Sequence, residues 1–332
     1  MKFSASARMK RLLARALLLL FNFFGVFLGR LALLTNANDA ALAGLLARLF
    51  AQSKREDASI AAIVGAATSS TALIDNLNTR ESGEDVTAII NFSANWRDEW
   101  VIRKAAEVPS GARVLDAGAG ECRYRSYFSH TDYSAQDFAG YEGTSEGVQK
   151  EEWNYGKIDY VCDITSIPVP DDSFDVVLCT EVLEHVQDPI ATLKELTRVL
   201  RPGGSLLLSA PLGCGLHQQP HHYYGGFTPY FYKEHLTRFG ATVTEMTPLG
   251  GLLRHVAQEC HRVGRVISES KGNEPEKSIL DLLMNWLPRV LSGLDDKYFV
   301  EEFTVGYVVE ARKGMSASAN ALSSIPLPPR HA

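Results

Sequence analysis

Apolar and polar positions divide the chain into stretches of different character. Lys2, Arg8, Lys10, Arg11 and Arg15 precede an apolar run over residues 16–29 that only Asn22 interrupts. Between Arg15 and Arg30 there are 14 residues, fewer than the roughly 20 that a spanning helix needs. After a polar turn at residues 36–39, Leu42, Leu45, Leu46 and Leu49 recur at i, i+3, i+4 and i+7. That spacing predicts a second helix, with Asp39 placed to cap it. Two short apolar helices around a polar turn suit a membrane interface, anchored by their basic residues; packing on the protein itself is the other reading. A basic segment before a short apolar run is also the layout of a secretory signal, but only Thr35-Asn36-Ala37 offers a weak cleavage site.

Residues 51–94 read as a linker with accessory helices, and residues 95–107 as a helix carrying Trp96, Trp100, Val101 and Ile102. From there, short apolar runs alternate with helical patterns. Strands are expected at residues 113–116, 133–137, 176–179, 205–210, 241–246 and 303–311. Helices are expected at residues 123–128, from Glu181 onward, and at 228–238, where Thr228 would cap and Pro229 occupy the first position. The unbroken apolar run at residues 176–179 implies a strand covered on both faces. Between the last two strands, Leu253, Val256, Cys260 and Val263 suggest one helix. Ile279, Leu280, Leu283, Trp286, Leu287, Val290 and Leu291 suggest another with a wide apolar face. This insertion, residues 251–298, is expected to pack as a lid or to meet an apolar acceptor or a membrane. Residues 314–332, rich in Ser, Ala and Pro, read as a disordered tail.

Length and composition narrow the classes. The chain has 332 residues, 45% of them apolar and 22% charged, the balance of a folded protein of one or two domains. Lys plus Arg number 33 against 39 acids, a net charge of −6, which argues against a general nucleic-acid binder. The five cysteines, Cys122, Cys162, Cys179, Cys214 and Cys260, show no C-x-x-C spacing and read as reduced thiols in the cytosol.

The chemistry concentrates at the first strand. Residues 113–116 run into Ala117-Gly118-Ala119-Gly120, a glycine turn of the kind that lets a nucleotide approach the backbone. Arg123 stands where G-x-G-x-x-G has its third glycine, and Asp116 and Glu121 flank the turn. Two carboxylates repel a diphosphate and suit a ligand with a cationic amine. Asp137, at the end of the next strand, is placed to accept both ribose hydroxyls. A nucleoside with a positive tail describes S-adenosylmethionine (SAM) better than NAD.

The residues 114–120, Val-Leu-Asp-Ala-Gly-Ala-Gly, resemble motif I of the class I SAM-dependent methyltransferases, and further motifs follow in order. Asp163-Ile164 resembles the adenine-binding acidic–apolar pair, and Ser173 with residues 174–179 the central strand. Residues 181–185, Glu-Val-Leu-Glu-His, are similar to the helix start after it, and residues 200–205 to the turn before the fifth strand. The closest subgroup in pattern contains the ubiquinone and menaquinone C-methyltransferases and many small-molecule O-methyltransferases. The resemblance implies a doubly wound, Rossmann-like α/β sheet of seven strands over residues 95–313, the last two antiparallel. It implies SAM as cofactor, bound by Asp116, Gly118, Gly120, Asp137, Asp163, Ile164 and Cys179. Cys122 departs from the pattern where another glycine is frequent, and its side chain would narrow the mouth beside the methionine portion. Asp175 reads as structural.

Residues 211–226, after the fifth strand, gather His217, His221, His222, Tyr223 and Tyr224 among Gly and Pro, a polar density typical of functional loops. An oxygen acceptor must lose a proton, for which a histidine is suited. His222 is the first candidate and His185 the second. The loop histidines match no standard metal spacing and include no acid among them, so no metal is expected. The chain reads as a SAM-dependent methyltransferase acting on a small-molecule or lipid-linked acceptor. It would be cytoplasmic, with residues 9–50 touching the cytoplasmic membrane face. A non-catalytic scaffold of the same fold at a membrane is the alternative.

Overall fold

A computed structural model describes residues 85–143, 153–270 and 277–315. The expected membrane-interface pair, the linker up to residue 84 and the tail from residue 316 lie outside the described residues. The chain falls into two compact units, one of Met1–Ser82 with Ser270–Leu282 and one of Gly83–Glu269 with Leu283–Ala332. The second holds the sheet and everything below concerns it.

Its strands are β1 (Arg113–Ala117), β2 (Asp132–Asp137), β3 (Tyr160–Val161), β4 (Phe174–Thr180), β5 (Leu200–Pro211), β6 (Ala241–Pro248) and β7 (Gly306–Lys313). They form one sheet in the order β3-β2-β1-β4-β5-β7-β6. β1 to β5 pair in parallel, and β7 runs antiparallel between β5 and β6, as expected. The strand order reverses between β1 and β4, so the crevice at the carboxyl ends of these two strands is the ligand position that such sheets provide.

Successive side chains of a strand point to opposite faces, and both faces here are apolar. On one side Leu115, Val177, Cys179 and Leu208 pack with Leu193 and Leu196 of α3 (Pro189–Val199) and Tyr232 and Leu236 of α4 (Pro229–Arg238). On the other, Val114, Val176, Leu178 and Leu207 meet Trp100, Val101 and Ala105 of α2 (Phe92–Glu107). α1 (Val86–Ile90) precedes α2. Asp188 caps α3 by accepting the Ala191 N–H at 2.8 Å, with Pro189 in the first turn. Asp175 accepts from the Arg113 N–H at 2.8 Å and pairs with Arg201 at 2.6 Å, a structural clamp between β1 and the start of β5.

Three expectations are corrected. Residues 123–128 form no α-helix, only a 3₁₀ turn at Arg125–Phe128, because Cys122 enters it at φ +55° and Tyr124 is drawn inward, its hydroxyl donating to Asp98 at 2.7 Å. Residues 181–185 likewise give a 3₁₀ turn, Leu183–His185, and the helix waits for Pro189. Residues 200–205 extend β5 rather than turning, with a register shift against β4 between Phe174 and Val176.

Two helices of the insertion pack on the helix that opens the described chain. Leu253 and Ala257 of α5 (Leu252–Glu269) pack with Leu291 of α7 (Leu287–Asp295) and with Ile89 of α1; α6 (Lys277–Asp281) belongs to the other unit. Asp295, 2% exposed, accepts the Gly251 and Leu253 N–H groups at 2.8 and 3.0 Å and so satisfies the start of α5. No helix of the described residues is long and apolar enough to cross a membrane.

α2 is fastened to the antiparallel edge by charge. Lys104 Nζ lies 2.6 Å from Glu310 and 2.7 Å from Glu245, and the Trp100 indole donates to Glu245 at 2.8 Å. Burial opposes ionisation of Glu245, but these donors outweigh it and lower its pKa to about 2. The folded carboxyl is thus the stronger acid, so its stabilisation is complete above the ordinary carboxylate pKa and is lost as pH falls toward 2. Lys104→Met leaves Glu310 buried beside one fewer cation and should cost about 3 kcal/mol in denaturant unfolding at neutral pH. A loss below about 1 kcal/mol would mean that the pair behaves as a surface contact.

Candidate active site at the carboxyl edge of the sheet

β1 ends in a tight turn whose amides are already engaged. Gly118 N–H donates to the Gln136 carbonyl at 2.8 Å, Ala119 N–H to the same carbonyl at 2.9 Å, and Gly120 N–H to Asp137 Oδ2 at 2.9 Å. A diphosphate cradle needs such amides free; here the end of β2 consumes them. Gly118 and Gly120 sit at φ +73° and +49°, and a Cβ would come within 2.4 Å of Val182 and 2.6 Å of Trp153 respectively. Only glycine permits both the backbone and the approach.

The surrounding charges are acidic. Asp116, 3% exposed, accepts the Tyr133 hydroxyl at 2.5 Å. Burial raises its pKa to about 6, the Tyr133 bond opposing and Asp137 adding to the rise. Asp137 also accepts the Ala139 N–H at 2.9 Å, yet each carboxylate oxygen keeps lone pairs for further hydroxyls. Glu121 accepts the Asn154 N–H at 3.3 Å. Asp163 is exposed past the end of β3 and holds Thr165 through its N–H (2.8 Å) and hydroxyl (2.7 Å), while Ile164 is 7% exposed and packs in the core. Cys179 has no exposed surface and belongs to the core. Cys122 turns toward the Lys157 carbonyl at 3.5 Å and packs against Gly156 rather than standing over the turn.

Several neighbours escaped the sequence reading. Trp153 lies against Gly120 and stacks edge-on with Tyr141 at 5.4 Å. Glu181, at φ +52°, accepts the Ser209 hydroxyl at 2.7 Å and pairs with Arg97 of α2 at 3.3 Å. No spacing announces a helix-borne Arg meeting a strand-end Glu. A loop aromatic brought against a glycine by tertiary folding is equally silent in one dimension.

The two candidate proton acceptors do come together. His185 follows β4, and Cys214, His217 and His222 follow β5. Ring centroids are 4.7 Å apart for His185 and His217, 5.7 Å for His185 and His222, and 4.5 Å for His217 and His222. His185 Nδ1 bonds the His221 carbonyl at 2.7 Å. Burial first, and then its histidine neighbours, lower the His185 pKa to about 4; burial lowers that of His222 too. His221 itself faces Phe138 at 5.2 Å and Tyr141 at 6.5 Å, so aromatic contacts run from the glycine turn to the histidine group. Glu184, 1% exposed, sits under it, its carbonyl accepting the Tyr223 and Tyr224 N–H groups. An open hollow of about 740 Å³ along α4, bordered by Tyr230 and Lys233, includes none of these residues.

Fold and turn define a nucleoside-binding α/β domain of acidic rather than phosphate-binding character. Residues 115–208 match the family described as Methyltransferase domain. A probable SAM-dependent methyltransferase of Mycolicibacterium smegmatis is 33% identical over 116 residues, 35% of this chain and 44% of that protein. A ubiquinone biosynthesis O-methyltransferase of Xanthomonas oryzae is 34% identical over 109 residues (30% and 43%). A demethylmenaquinone methyltransferase of Clavibacter sepedonicus is 34% identical over 108 (32% and 43%). The alignments span less than half the length of each of these relatives. The solved YcgJ structure of Bacillus subtilis superposes with a TM-score of 0.38 at 15% identity, covering 67% of this chain and all of that one. The chain carries a methyltransferase domain of the class I SAM-dependent family.

The glycine turn makes its own prediction. Gly118→Ala should destabilise the fold by about 1–3 kcal/mol from backbone strain, with a further loss from the Val182 contact. In a Val182→Ala background only the contact part should vanish, so thermal unfolding of the single and double variants separates the two. Equal cost in both backgrounds would show that Val182 yields freely.

Proposed function

We propose that the protein transfers a methyl group from SAM to a small-molecule or lipid-linked acceptor, at oxygen or carbon. The observation that carries this reading is the glycine turn with its amides spent on β2 and acids on every side. SAM brings a methyl group made electrophilic by its sulfonium. Asp137 is the residue to hold the ribose, Asp163 and Ile164 the adenine, and Asp116 the charge that favours a cationic amino-acid tail beneath Gly118 and Gly120. Trp153, Tyr141 and Val182 exclude water from the turn, which methyl displacement requires.

The acceptor is assigned to the histidine side, beyond Tyr141 and His221, because the β4 and β5 ends meet there. Positioning in line with the methyl group supplies most of the rate. His185, fixed through its Nδ1, presents Nε2 as the group to take a proton from a hydroxyl acceptor. Relatives named for ubiquinone and menaquinone methylation support a ring hydroxyl or ring carbon as the acceptor class.

Incubation with methyl-labelled SAM and an organic extract of the host cells should label an extractable product. Binding of S-adenosylhomocysteine with no labelled product from any extract would retire the transferase reading in favour of the scaffold. The raised Asp116 pKa adds a pH signature. The carboxyl is ionised only above about 6, so affinity for S-adenosylhomocysteine, whose ammonium gains from that charge, should rise as pH passes upward through 6. Tyr133→Phe removes the bond that opposes the rise and should move the midpoint higher. Asp116→Asn should flatten the profile and weaken binding at neutral pH by about tenfold. An unchanged slope in Asp116→Asn would take Asp116 out of cofactor binding.

A further inference from the structure

Cys214, His217 and His222 offer one ligand atom each, and the three lie within 4.8 Å of one another; Glu184, His185 and His217 form a second such group sharing His217. Cys214 Sγ and His222 Nε2 are 3.4 Å apart. Two of the imidazoles are held as metal ligands are held. His185 Nδ1 is on the His221 carbonyl at 2.7 Å and His217 Nδ1 on the Gly215 carbonyl at 2.9 Å, which fixes each ring and leaves Nε2 as the donor. Below them Glu184 Oε1 is 3.7 Å from His185 Nε2, and Glu184 Oε2 has no hydrogen-bond partner among the described residues although the side chain is 1% exposed. A buried carboxylate oxygen without a partner is costly unless a cation stands beside it.

We propose that Cys214, His217 and His222 hold one zinc ion, with the Glu184 carboxylate beside it and His185 outside the ligand set. A thiolate with two imidazoles is the mixed sulfur–nitrogen set that zinc accepts in tetrahedral geometry, and a neighbouring carboxylate suits zinc better than monovalent copper. The loop supports the assignment. Cys214 N–H donates to the Gly225 carbonyl at 2.8 Å, and Phe227 N–H to the Pro211 carbonyl at 2.7 Å. Both ends of the loop are therefore pinned while its three ligands face inward to the Leu183–His185 turn. The ion ties the acceptor loop to the end of β4. It also withdraws His222 from the pair expected to take a proton; His185, outside the Cys214–His217–His222 ligand set, keeps its Nε2 for that role. None of this depends on methyl transfer: the donor set stands whatever the glycine turn binds.

The test uses the full-length protein, stripped with chelator, reloaded with zinc and freed of loose metal by gel filtration. Elemental analysis should find one zinc per chain in the wild type and none in Cys214→Ser or His217→Ala. Glu184→Gln should bind about tenfold more weakly. His221→Ala should keep its zinc, since only the His221 backbone serves the cluster. Cobalt loading should give an intense tetrahedral spectrum whose sulfur charge-transfer band disappears in Cys214→Ser. Circular dichroism and a cooperative thermal transition for each metal-free variant check that it folds, independently of metal and of cofactor. Wild-type protein without bound zinc, retention of copper alone, or equal zinc in wild type, Cys214→Ser and His217→Ala would overturn the site. So would loss in His221→Ala as complete as in His217→Ala.

Discussion

Three backbone amides at the end of β1 donate to the end of β2, and the character of the site follows from them. Because Gly118, Ala119 and Gly120 are bonded to Gln136 and Asp137, the turn is rigid and cannot greet a phosphate with free N–H groups. The short 3₁₀ turn that follows, in place of a helix, removes the dipole that would otherwise favour an anion there. What remains is a set of carboxylates. Asp116 is buried deeply enough that its charge is itself conditional, while Asp137 is held by two amides. On the proposed function, that set of carboxylates is what receives a sugar and a positive tail.

The opposite side of the same edge has a different chemistry, and the sheet explains why the two are adjacent. β4 and β5 run in parallel, so the segments leaving them, Glu181 to His185 and the loop after Pro211, emerge side by side. β4 delivers a strained Glu181 that Arg97 and Ser209 anchor, and then the buried Glu184. β5 delivers Cys214 and the histidines. His221 joins the two regions through Phe138 and Tyr141. The proposed function places the methyl donor at β1 and β2 and the acceptor at β4 and β5, across the reversal in strand order.

Much of this frame was legible in one dimension. The apolar run of β4 and Pro229 in the first turn of α4 are local signals that the fold realises, although Thr228 at the helix start makes no side-chain cap bond. The antiparallel β7 was legible only through the family pattern. Local signals failed where tertiary contacts override them. Residues 123–128 read as helical, yet Tyr124 buries its ring and bonds Asp98 from α2. Cys179 stood at a ligand-binding strand end, but strand alternation turns its side chain into the core. The histidine group shows the same limit more sharply. Within residues 211–226 the spacing of His217, His221 and His222 includes no acid, because the acid and the remaining imidazole, Glu184 and His185, come from the segment after β4. Only strand pairing brings them together.

The most direct test of the account is calorimetric binding of S-adenosylhomocysteine and of NADH to the full-length protein and to Asp137→Ala. An acidic turn with no free amides predicts micromolar binding of S-adenosylhomocysteine, about tenfold or more weaker in the variant, and no heat from NADH. Binding of NADH in preference to S-adenosylhomocysteine would contradict the reading of the turn on which the rest is built.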